Sequence, residues 1–167
     1  VAANLNAELP GQFQIELFKY PNDLSSALSR QIPRLLGFSN YSWNINISYE
    51  YVKQIKRRFP ETVIVMGGPN YGLSQDEIVD FWNRYPLIDF YIMFEGERAM
   101  VELVRALQSV NYDVKSLKKG NKTLANCHYK SGNMIVQGDP LPRINDLSEL
   151  PSPYLSGLMD KFFDGVL

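Results

Sequence analysis

From Leu35 to Leu107 one pattern of apolar and polar positions recurs three times: a short apolar run, a polar or glycine-rich junction, then apolar residues at helical spacing. The first run, Leu35-Leu36-Gly37-Phe38-Ser39, suits a strand covered on both faces. Ile47, Tyr51, Val52, Ile55 and Phe59 follow as one helical stripe, with Lys56, Arg57 and Arg58 in the last turn and Pro60 as its stop. The second run, Thr62 to Met66, meets Gly67-Gly68-Pro69, and Ser74 with Glu77 forms a capping box ahead of Ile78, Phe81, Trp82 and Tyr85. The third, Asp89 to Phe94, is broken by Glu95-Gly96-Glu97 before the stripe Met100, Leu103, Val104 and Leu107.

The flanks differ. Phe13 to Tyr20 alternates with period two, which predicts a half-buried strand, and Pro21-Asn22-Asp23 opens a short helix carrying Leu24, Ala27 and Leu28. Cys127-His128-Tyr129 and Met134-Ile135-Val136 flank Lys130-Ser131-Gly132-Asn133, a hairpin signature placed at about 125–137. Residues 138–167 hold Pro140, Pro142, Pro151 and Pro153 and predict an extended strap or linker. Strands alternating with helices imply βαβ units, so the fold class is α/β: a doubly wound parallel sheet, helices on both faces, with the hairpin appended.

A chain of 167 residues with 45% apolar content supports one compact domain. Seventeen Lys and Arg against eighteen Asp and Glu leave −1, which gives no field toward nucleic acid or an anionic membrane. One cysteine, Cys127, closes no internal disulfide, and one histidine, His128, builds no His-rich metal site. With no apolar run of membrane-spanning length and no signal-peptide pattern at Val1 to Pro10, the expected location is cytoplasmic. The chain opens on Val1 and stops soon after Phe162-Phe163, so a piece of a longer protein is expected.

In open α/β sheets ligands sit beyond the carboxyl ends of the strands, which directs attention to the three junctions. Ser39, Asn40, Tyr41, Ser42, Trp43 and Asn44 offer hydroxyls, amides and two aromatics, a mixture that grips a large, partly aromatic ligand or merely anchors the crossover. Gly67-Gly68-Pro69 lets a ligand lie against the backbone or is simply a turn. Glu95-Gly96-Glu97 places carboxylates at a helix start, as a rim or as an ordinary first turn. No nucleophile and base constellation accompanies them, so no catalytic residue is named. His128 is expected to be structural or exposed, Cys127 a buried thiol.

Leu36 to Asn44, Val65-Met66-Gly67-Gly68-Pro69 and Phe94-Glu95-Gly96-Glu97-Arg98, in this order and spacing, resemble the cobalamin-binding domain of radical S-adenosylmethionine enzymes. The resemblance continues through the hairpin to Leu141-Pro142-Arg143-Ile144 and Leu150 to Leu155, similar to the strap that precedes the radical domain in that family. It implies a flavodoxin-like (Rossmann-like) domain over residues 1–137 that holds a corrinoid at the strand ends. Ser39 would lie near the nucleotide base, while Gly67 and Gly68, with Pro69 beside them, would let the tail pass. Tyr41, Trp43 and Asn44, next to Asn40, would wall the corrin, and Glu95, Gly96 and Glu97 would line the rim. The family's first strand, with its cobalt-ligating histidine, would lie before Val1, so no metal ligand is assigned, and the open sheet could instead pair with a second copy. S-adenosylmethionine and a [4Fe-4S] cluster would belong to a radical domain downstream, because one cysteine cannot supply the cluster's ligands. Two other readings stay open: a docking or substrate-selecting module that binds no corrinoid, and an unrelated flavodoxin-like binder of a flavin or nucleotide sugar.

Overall fold

The computed structural model describes residues 1–163, so the last four residues of the expected strap lie outside the described part. The elements run α1 (Ala2–Glu8), α2 (Pro21–Arg30), β1 (Leu35–Ser39), α3 (Ile45–Arg58), β2 (Val63–Gly67), α4 (Gln75–Arg84), β3 (Phe90–Ile92), α5 (Gly96–Ser109), α6 (Val114–Lys119), β4 (Cys127–Ser131) and β5 (Met134–Gln137). They build one five-stranded sheet in the order β1-β2-β3-β4-β5. The first three strands are parallel, with Gly37 opposite Val65 and Val65 opposite Phe90. The last two pairings are antiparallel. The α/β expectation holds, and the hairpin joins the parallel sheet as its continuation, because β4 hydrogen-bonds to β3 directly. Gly132, at φ +59°, and Asn133 make the two-residue turn that closes it.

Val63 to Met66 are buried at every position, which requires cover on both faces. Alternation along β3 shows what supplies it. Tyr91 packs edge-on against Phe81 of α4, whereas Phe90, on the opposite face, meets Tyr129 and the Lys118 ammonium of α6. The α4 capping box forms in both directions, and Ile78, Phe81 and Trp82 are buried as their spacing predicts. At the amino ends of the strands the Asp89 carboxylate accepts from Lys56 Nζ at 2.7 Å and from the Ile64 N–H at 2.8 Å, tying α3 to β2 and β3. Burial lowers the pKa of Lys118, which also faces Asp89.

Four expectations need correction. Phe13 to Tyr20 is not a strand: it has no ladder partner, and only Phe13 joins the small cluster of Leu9, Val101 and Val104. The period-two pattern is present, but a strand exists only where a neighbour completes its hydrogen bonds. Strand β1 is half-buried rather than covered on both faces, since it forms one edge of the sheet and leaves Gly37 and Ser39 exposed. The buried stripe of α3 is Ile45, Ser48, Val52 and Ile55, and Ile47 faces outward, because a spacing of five residues places it on the far side of the helix from Val52. Strand β3 ends at Ile92, and Phe94 swings into the left-handed region at φ +52°. Residues 138–163 contain no strand or α-helix; 3-10 turns form at Leu147–Glu149 and Asp160–Phe162, with further turns across residues 153–159. No helix among the described residues is long and apolar enough to cross a membrane.

Candidate functional site

Parallel pairing brings the three junctions side by side beyond Ser39, Gly67 and Ile92. The first loop is braced from within: Asn44 Nδ2 donates to Ser39 Oγ at 3.0 Å, and Asn44 Oδ1 accepts from the Tyr41 N–H at 2.8 Å. That folding throws two rings outward. Tyr41 and Trp43 stack with centroids 4.6 Å apart and planes 15° from parallel, and Trp43 is 77% exposed. A stacked pair with one open indole face is a ready surface for a flat, apolar group. Ser39 is exposed, and its hydroxyl, which accepts from Asn44, keeps its own proton to donate.

Asn40 lies beneath this surface, wholly buried. Its Nδ2 donates to the Asn70 carbonyl at 2.6 Å and to the Tyr91 hydroxyl at 3.0 Å, and its Oδ1 accepts from Asn70 Nδ2 at 3.2 Å. The Tyr91 hydroxyl in turn donates to the Gly68 carbonyl at 2.7 Å. Asn40 therefore clamps the first junction to the second, and its side chain is fully occupied in doing so. Gly68 shows the same closeness in its backbone. At φ +139°, a Cβ there would stand 2.5 Å from the Asn40 carbonyl oxygen, and one at Gly67 would stand 3.0 Å from that of Ile92. The side-chain space at Gly68 is thus filled by the neighbouring loop, a packing reason for glycine that the sequence alone did not separate from ligand approach. Both glycines remain half-exposed, and Pro69 is exposed.

Under the second junction Tyr71 stacks on Tyr91 with centroids 4.0 Å apart, and its hydroxyl accepts from Trp82 Nε1 at 3.1 Å. The same hydroxyl shares a hydrogen bond with His128 Nδ1, 2.9 Å away, a contact that a neutral imidazole can make. Burial supports that state, pushing the His128 pKa down to about 4 and the Tyr71 phenol up to about 12. His128, expected to be structural or exposed, is buried and sits against the second junction, far as it is in sequence. The Cys127 thiol is buried and raised to about 12.

At the third junction Glu95 and Glu97 flank the start of α5, with Gly96 and both carboxylates half-exposed. Glu95 Oε1 meets Arg143 of the strap at 3.4 Å, and Glu97 Oε1 meets the amino group of Val1 at 3.3 Å. Phe94, 53% exposed, completes this edge. It was hidden in the sequence because an unbroken apolar run gives no sign of where a strand ends. A bulky residue at positive φ with its ring in water is the structural signal. Asn70, Tyr71 and Tyr91 were likewise missed, since their role is to link loops that are distant in sequence.

A separate cavity of about 430 Å³, bounded by Phe18, Asp23, Arg30 and Lys161 among others, includes none of these residues. The junctions form an open, aromatic shelf instead.

The family model for the B12 binding domain matches residues 12–104, which span all three junctions and more than half of the chain. A cobalamin-dependent radical SAM methyltransferase, TokK, from Streptomyces tokunonensis is 30% identical over 128 residues, 77% of this chain and 17% of that protein. A 2-(S-pantetheinyl)-carbapenam-3-carboxylate methyltransferase of Streptantibioticus cattleyicolor is 32% identical over 130 residues, with the same shares. The chain thus spans 17% of the length of each of these relatives. With the strand-end shelf, the ordered junction motifs and a family match that covers them all, the chain belongs to the B12 binding domain family.

Proposed function

We propose that this chain holds a corrinoid across the ends of β1, β2 and β3 and presents it to a radical SAM domain elsewhere in a longer parent chain. The observation that carries this reading is the exposed, stacked Tyr41–Trp43 pair in the loop that Asn40 clamps to the second junction. Tyr41 and Trp43 wall the ring, Ser39 and the exposed backbone of Gly67 and Gly68 meet the nucleotide arm, and Phe94 with Glu95 and Glu97 forms the far rim. When bound, the corrinoid supplies carriage of a methyl group. The two curated relatives, both named as methyltransferases, favour methyl transfer over rearrangement as the parent's chemistry. S-adenosylmethionine and an iron–sulfur cluster fall to the parent's other domain.

Residues 1–137 form the binding domain and the proline-rich strap leads toward that other domain. The free edge of β1, with Leu35, Leu36 and Phe38 only half-buried, is the place for a further strand of the parent chain. Absorbance titration with hydroxocobalamin, beside flavin mononucleotide, tests the reading. A saturable spectral change with the corrinoid alone supports it; saturation by the flavin alone, or by neither ligand with the chain folded, overturns it.

A further inference from the structure

Asn126 is wholly buried between β3 and the start of the strap, in the left-handed conformation that asparagine tolerates better than most residues. Every one of its polar groups is engaged. Its carbonyl accepts from the Met93 N–H at 2.8 Å, and its Nδ2 donates to the Glu95 carbonyl at 3.2 Å. Those two bonds bracket Phe94, gripping the residue before it and the residue after it. Phe94 is thereby forced into a backbone conformation that a bulky side chain seldom adopts, with its ring held out on the rim.

The remaining groups of Asn126 point the other way along the chain. Its N–H donates to the Asp139 carbonyl at 2.9 Å, and its Oδ1 accepts from the Leu141 N–H at 2.7 Å. Two ion pairs add to this connection between strap and rim: Arg143 to Glu95 at 3.4 Å and Glu149 to Arg98 at 2.7 Å. The strap's origin has no slack, for a Cβ on Gly138 would fall 1.7 Å from the Leu124 carbonyl oxygen. Exposed ion pairs alone would count for little. Four hydrogen bonds made by one buried asparagine to both partners hold them more firmly.

We propose that Asn126 is a positioning residue that joins the β3–α5 junction and the strap into one unit, so that a corrinoid on the rim and the path of the chain beyond Leu141 influence each other. The inference rests on the corrinoid reading given above. Linkage makes the influence reciprocal: if the ligand steadies the Phe94–Glu95 backbone it steadies the strap, and whatever pulls the strap away weakens the ligand's hold.

Limited trypsin digestion of the full chain, following cleavage after Arg143, whose side chain is 78% exposed, reads this coupling directly. Saturating hydroxocobalamin should slow that cleavage in the unsubstituted chain. Asn126→Gly keeps the positive φ and the backbone bonds but removes both side-chain bonds, so without ligand its cleavage should be faster. The ligand should no longer slow it, and its corrinoid dissociation constant should rise by about fivefold or more. If Asn126→Gly does not fold, Asn126→Asp, which keeps the acceptor for Leu141 and loses the donor to Glu95, tests the rim side of the tie: hydroxocobalamin should slow its cleavage less than that of the unsubstituted chain, and equal slowing overturns the proposal. Equal cleavage and an equal response to ligand in the folded variant overturn the proposal. If the unsubstituted chain binds no corrinoid, the corrinoid reading fails by itself. Cleavage without ligand then decides on Asn126: acceleration supports the tie to the strap, and no acceleration removes it.

Discussion

The Tyr91 hydroxyl stands 2.7 Å from the carbonyl oxygen of Gly68 and donates to it, joining the buried third strand to the loop that leaves the second. The same hydroxyl accepts from Asn40, so three consecutive strands are connected at the end where their junctions open. Tyr91→Phe removes one oxygen, leaving the buried Asn40 amide one acceptor short and the half-buried Gly68 carbonyl without this donor. The expected loss of stability is about 1–3 kcal/mol in urea unfolding. A change below about 0.5 kcal/mol would show that the clamp does not hold the loops.

Two glycines separate packing from permissiveness. Gly68→Ala forces a side chain into a φ of +139° and against the Asn40 backbone, and should cost at least about 2 kcal/mol. Gly37→Ala meets no atom within 4 Å on the exposed edge strand and should be neutral, or stabilising by about 0.5–1 kcal/mol. Thermal melts of the two variants check the contrast, which fails if their shifts are alike.

His128 makes stability depend on pH in a defined window. Its folded pKa, about 4, lies below the ordinary value of 6.5, so between these values the unfolded chain binds the extra proton. The contribution is complete above pH 6.5 and is lost as pH falls toward 4, on the order of 1–3 kcal/mol in all. His128→Asn offers Tyr71 an acceptor and does not titrate. Its unfolding free energy should be flatter than that of the unsubstituted chain between pH 6.5 and 5, where most carboxylates have yet to titrate. Parallel curves would contradict the assignment.

What the sequence makes legible is local. Ser74 and Glu77 mark the start of α4 because a capping box is a contact between residues three apart, and the Gly132-Asn133 turn is equally short in range. The positions of the three junctions follow from alternating apolar runs. Relationships set by tertiary neighbours were not legible. Phe13 to Tyr20 carries a strand's pattern without a strand's partner, and Asn40 looks like one more polar loop residue until Asn70 and Tyr91 occupy its amide. Phe94 is indistinguishable from its apolar predecessors until Asn126, 32 positions later, takes hold of the residues on both sides of it.

Equilibrium dialysis of the full chain against hydroxocobalamin, with Trp43→Ala in parallel, tests the central claim most directly. Trp43 is exposed and contributes little to the fold, so the variant should match the unsubstituted chain in stability within about 0.5 kcal/mol. The expected result is one corrinoid retained per unsubstituted chain, with affinity weakened about tenfold in Trp43→Ala, equivalent to about 1.4 kcal/mol of ring contact. Retention of no corrinoid by the folded chain, or equal retention by both, would contradict a site built on the strand-end aromatic shelf.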